Sequence, residues 1–107
     1  MTPSITELEA MLRANVAKAR ADGWRIVTDA FGSRAAKTCC LASAGNPDIA
    51  KQWIPERMAA DYLGISLDQV CALIRGFDGK THSDYADVAS RHTAFYALGA
   101  KLRRELL

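Results

Sequence analysis

The chain has 107 residues, half of them hydrophobic and 24% charged, with a formal net charge of +2. This is ordinary globular composition for one modest core; it excludes a disordered polyelectrolyte, and the weak positive charge does not by itself call for a polyanionic partner. No apolar run approaches the roughly 18 residues of a membrane span. Residues 1–9 carry Glu7 and Glu9 and no base, unlike a secretory leader, so a cytoplasmic setting is expected.

The first predicted element is an amphipathic helix over residues 4–21. Ile5, Leu8, Leu12, Val16 and Ala19 recur at steps of three and four. Ser4 with Glu7 forms a capping box, and Asp22-Gly23 is a stop signal.

Residues 24–44 admit two readings. Residues 24–28 have β propensity and could pair with residues 38–41 in a short hairpin across Phe31-Gly-Ser-Arg. A loop followed by a helical turn over residues 39–43 fits equally well.

Asn46-Pro47 opens a short helix, and Pro55 separates it from a third that runs to about Leu63. Ser66-Leu-Asp-Gln69 is a second capping box, opening a helix expected to end at Gly76. Gly76-Phe-Asp-Gly79 reads as a tight turn with Phe77 tucked into the core. Tyr85, Val88, His92, Phe95, Gly99, Leu102 and Leu106 form one stripe, which predicts a last helix from about Asp84 to Leu106. The expected fold is a single all-α domain of about five helices, with a short β-hairpin at 24–44 as the open question.

Residues 58–74 carry the most specific pattern. Ala60, then Gly64, then Val70 are the small residue, the positive-φ turn and the apolar face of a tight helical corner. This order resembles the helix-turn-helix unit of DNA-binding proteins. The resemblance implies that the second helix, with Leu67, Asp68, Cys71, Ala72 and Arg75 outward, enters a major groove. Charge argues otherwise. Between Glu56 and Gly79 stand four acids (Glu56, Asp61, Asp68, Asp78) against Arg57 and Arg75, a net −2 that a phosphate backbone would repel. More loosely, Cys39-Cys-Leu, Gly76-Phe-Asp-Gly79 and Tyr96-Ala-Leu-Gly-Ala-Lys-Leu-Arg103 resemble blocks in small bacterial proteins, which implies a bacterial or phage origin and no activity.

The expected function is therefore a non-catalytic regulator that binds a protein partner, with a DNA-binding regulator as the alternative. The partner surface would be Asp61, Leu67, Asp68, Ala72 and Arg75, with Trp53 beside them. The same patch could join two copies in a homodimer. A second candidate is a basic face of Arg13, Lys18, Arg20, Lys101, Arg103 and Arg104, if the first and last helices are neighbours.

Cys39, Cys40, Cys71, His82 and His92 lack the two-to-four-residue ligand spacing of a zinc site, so no metal is expected. Three cysteines, two of them adjacent, also make a poor disulfide framework. No phosphate-cradling loop is present, so no cofactor is expected. Cys39 as a nucleophile would need a positioned base, and the two histidines on offer read as a residue of the apolar stripe (His92) and an exposed residue after the glycine turn (His82).

Overall fold

The computed structural model of the chain describes residues 2–51, 53–79 and 92–107. The first part of the last predicted helix, with His82, Tyr85 and Val88, lies outside the described residues.

Helix α1, Ile5–Ala21, forms where its period and caps place it. The Ser4 hydroxyl accepts from the Glu7 N–H while Glu7 accepts from the Ser4 N–H, so two orphan donors of the first turn are satisfied reciprocally. Leu8, Leu12, Val16 and Ala19 are buried in one stripe.

Between α1 and the remaining helices lies a small mixed sheet rather than a simple hairpin. Strands β1 (Arg25–Ile26), β2 (Gly32–Ser33) and β3 (Thr38–Cys39) take the order β1-β3-β2. The expected partners 24–28 and 38–41 do meet, but in parallel, with Arg25 opposite Thr38 and Ile26 opposite Cys39. The antiparallel partner of β3 is instead Gly32–Ser33, from the segment read as loop. Gly32 permits this: its φ is +106°, and a Cβ there would lie 2.1 Å from the Thr38 carbonyl oxygen. The alternative of a helical turn over 39–43 is not formed: Cys39 belongs to β3, and hydrogen-bonded turns follow it over residues 41–45, with the Ser43 N–H donating to the Cys40 carbonyl.

A short 3₁₀ helix, Pro47–Lys51, leads into α2, Pro55–Leu63, with Pro55 at its start. Gly64 ends α2 in the left-handed conformation at φ +74°. Helix α3, Leu67–Asp78, opens with the Ser66/Gln69 capping box and closes at Gly79, φ +73°. It therefore runs through Gly76, where the sequence suggested a stop. Phe77 is buried as expected.

Helix α4, Thr93–Leu106, crosses α3. His92 caps it in non-helical backbone, φ −121° and ψ 53°, so one continuous helix through His92 is not formed. The described chain is thus mostly helical, with four α-helices and a three-stranded sheet, and is not purely all-α. Among the described residues, no helix is long and apolar enough to cross a membrane.

Candidate functional site

The corner between α2 and α3 has the geometry its sequence implied. Ala60 is buried where α2 meets the turn, and the Gly64 and Ile65 N–H groups both donate to its carbonyl. Val70 and Leu73 are fully buried on the inner side of α3.

At about 100° per residue, the inner arc of α3 also takes in Ala72 and Gly76, one turn apart. Ala72 is fully buried, which corrects its expected place on the outer surface. The cause is α4, whose backbone lies against Gly76 and covers that side of α3. Leu67 and Asp68 are exposed, and Cys71 and Arg75 are half-buried, so the solvent face of α3 is narrower than the sequence suggested. Asp61 is exposed on α2.

Following that face towards the C-terminus of α3 leads into a cleft of about 290 Å³. Its apolar wall includes Phe31, Leu41, Ile74 and Phe77, and its polar lining is Asp29, Glu56, Asp78 and Arg75. Among the described residues, three carboxylates against one guanidinium give this lining a charge of −2. Glu56 comes from the first turn of α2, Arg75 and Asp78 from α3, and Asp29 from the loop after β1.

Local bonds tie the walls of the cleft to their neighbours. The Asp29 N–H donates to Asp78 Oδ1 at 3.0 Å, tying the loop to the end of α3. Asp29 has φ +65°, a left-handed conformation that aspartate tolerates better than most residues. Ser43, fully buried, accepts from the Cys40 N–H at 3.0 Å and donates to the Phe31 carbonyl at 2.7 Å. This serine fixes the opposite wall, and no periodic or spacing signal marks it in the sequence.

Two thiols, Cys40 and Cys71, line the same cleft, and Cys39 is fully buried next to Cys40 in the chain. Burial pushes Cys39 up to about 11, with neighbouring Cys40 adding to the rise. Burial also raises Cys40. Burial raises Cys71, as do the nearby carboxylates of Glu56 and Asp68, and Arg75 only partly offsets them. Near neutral pH these groups are protonated thiols, which are poor nucleophiles and poor metal ligands. Among the described residues, no three His, Cys, Asp or Glu side chains converge to hold a metal.

The first and last helices are neighbours, as the basic-face reading required. Their charge, however, is largely turned on the chain itself. Arg13 pairs with Glu9 at 2.9 Å and Glu105 at 2.6 Å, and Lys101 pairs with Glu9 at 3.1 Å. Arg20 donates to the Leu106 carbonyl, and Arg103 donates to the Phe77 carbonyl at 3.0 Å. Lys18 and Arg104 are exposed. Four of the six cations thus serve contacts that fasten α4 to α1 and α3.

Trp53 stands out on the surface at 97% exposure, with Ile54 beside it at 45%. Both directly precede α2, whose Glu56 lines the cleft. No protein-family model matches this chain, and neither a curated protein nor a solved structure shows significant similarity to it.

Proposed function

We propose that this protein is a non-catalytic regulator that binds a protein partner through the acidic cleft and the adjoining α2–α3 corner. The observation that carries this reading is the combination of an apolar wall with a net negative lining of Asp29, Glu56, Asp78 and Arg75. Such a surface suits an apolar side chain presented between basic residues. Exposed Asp61, Leu67 and Asp68 extend the same acidic and apolar character along the corner.

Two features argue against catalysis in the cleft. Its thiols are held protonated by burial and by nearby carboxylates. Its volume is at the lower edge of the roughly 300–1,000 Å³ usual for small-molecule sites, and suits one inserted side chain.

DNA binding is the second reading, favoured by the Ala60–Gly64–Val70 corner. It is opposed by the solvent face of α3, where Asp68 and Asp78 flank Arg75 and would meet phosphates.

The test is affinity capture on the immobilised chain. Glu56→Lys and Asp68→Lys should each release the partner, while Arg104→Glu on α4 should retain it. Capture indifferent to both reversals removes the proposal. A duplex shifted in a gel, with affinity falling steeply as salt rises, would establish the DNA reading instead.

A further inference from the structure

The partner chemistry that the cleft selects is present in this chain. Trp53 is almost wholly exposed, an unusual state for so large an apolar side chain, since its burial would remove about 150–250 Å² from water. Ile54 adds a second apolar group. Lys51 lies two residues before Trp53 and Arg57 four residues after it; both are exposed. Trp53 and Ile54 therefore form an apolar anchor flanked in sequence by Lys51, which lies 4.0 Å from Asp48 Oδ1, and Arg57; with Glu56 between them, the described residues 51 and 53–57 carry a net charge of +1. The cleft is an apolar slot lined, among the described residues, by three carboxylates and one guanidinium.

Within one chain the anchor stands outside the cleft, only three residues from Glu56 on its lining. With Trp53 three residues before Glu56, anchor and slot adjoin along the chain, as an isologous contact requires. A two-fold axis beside the cleft lets each chain give its anchor and receive the other.

We infer that the cleft is occupied by Trp53 of a second copy, in a reciprocal dimer. This rests on the cleft being a protein-binding surface, as proposed above, and names its occupant. The two indoles fill the two clefts, with Lys51 and Arg57 of each chain set against Glu56, Asp29 and Asp78 of the other. Two aromatic anchors with their rims can bring the buried area to the roughly 1,000 Å² that a specific interface needs. Anchors of this kind carry most of the energy of such contacts.

Sedimentation equilibrium of the full chain tests this with three proteins. The wild type should rise from the mass of one chain towards two as concentration increases. Trp53→Ala removes the anchor, and Ala30→Arg places bulk and a positive charge at the exposed rim of the slot. Each should weaken association about tenfold or more, with helical circular dichroism unchanged because both sites are exposed. An equimolar mixture of the two variants should associate more strongly than either alone. One intact pair then remains, Trp53 of the Ala30→Arg chain in the slot of the Trp53→Ala chain. A wild type that stays monomeric at all concentrations overturns the dimer, as does a dimer insensitive to Trp53→Ala or a mixture without recovery. Those results leave the protein-binding reading standing, since that reading falls only if Glu56→Lys and Asp68→Lys leave capture unchanged.

Discussion

Gly76 of α3 and Gly99 of α4 face one another's helix backbones. A Cβ on Gly76 would lie 2.1 Å from the Tyr96 carbonyl oxygen, and one on Gly99 would lie 2.1 Å from that of Leu73. Neither position has room for a methyl group, so the two helices cross at backbone contact. This crossing positions the C-terminal half of α3, and with it Arg75 and Asp78 of the cleft.

Gly76→Ala and Gly99→Ala should therefore each destabilise the fold. The gain in helix propensity, about 1 kcal/mol, favours alanine. The clash is with backbone that cannot rotate away, and overpacking of this kind costs about 1–3 kcal/mol or more. A net loss of about 2 kcal/mol is expected, read as a lower urea midpoint. Unchanged or higher stability in both variants would show that the helices separate easily.

The α2–α3 corner depends on Gly64 and Ser66 in different ways. Pro3 Cδ would be 3.5 Å from a Cβ on Gly64, an ordinary contact, so Gly64→Ala is penalised by backbone conformation alone. At φ +74° that penalty is about 1–2 kcal/mol. Gly64→Asn should lose less, because asparagine tolerates the left-handed region. Ser66→Ala removes the hydroxyl that accepts from the Gln69 N–H at 3.1 Å and should cost about 1 kcal/mol. Chemical denaturation of the three variants gives the ranking.

Thiol chemistry gives a pH prediction. Cys39, held up to about 11, should not react with a thiol probe near neutral pH, and Cys40 should share that protection until the chain unfolds. Cys71, half-exposed, should label first. A raised folded-state pKa means that the unfolded chain gives up its proton at a lower pH. Stability is therefore full below the ordinary thiol value of 9.0 and declines as pH rises towards 11. Denaturation midpoints across that window should fall, and Cys39→Ala should fall less steeply. Fast labelling of Cys39 or Cys40 at neutral pH would reopen a catalytic reading.

The α1–α4 seam has the opposite dependence. Hydrogen bonds from Arg13, then from Lys101, hold the Glu9 carboxyl below its usual range. That contribution is present above the ordinary carboxylate value and is lost as pH falls through the lowered one. Because these pairs are exposed, the effect should be small and weakened by salt. Glu9→Gln should flatten the acid limb of the stability profile, as followed by urea midpoints between about pH 3 and 7.

Elements governed by neighbours in sequence were legible from it. Ser4 with Glu7, Ser66 with Gln69, Pro55 and Gly64 act through bonds and torsions within a few residues, so α1, α2 and the start of α3 lie where the sequence puts them. The corner was readable for the same reason. The outer face of α3 was readable only in part: Leu67 and Asp68 are exposed, but Ala72 is not, because its burial is decided by α4.

Residue types and local spacing alone thus determined α1, α2 and the start of α3, their caps, the left-handed turn at Gly64 and the acidic bias between Glu56 and Gly79. Tertiary structure alone decided that Gly76 is helix interior, that β1 joins β3 in parallel, and that Arg13 and Lys101 meet Glu9. It also brought Asp29, Glu56 and Asp78 from three separate elements to one apolar cleft. Caps and turns are fixed by short-range hydrogen bonds and φ preferences that every segment carries with it. Crossings, strand partners and clefts depend on which distant surfaces exclude water together, and that is settled only when the whole chain packs.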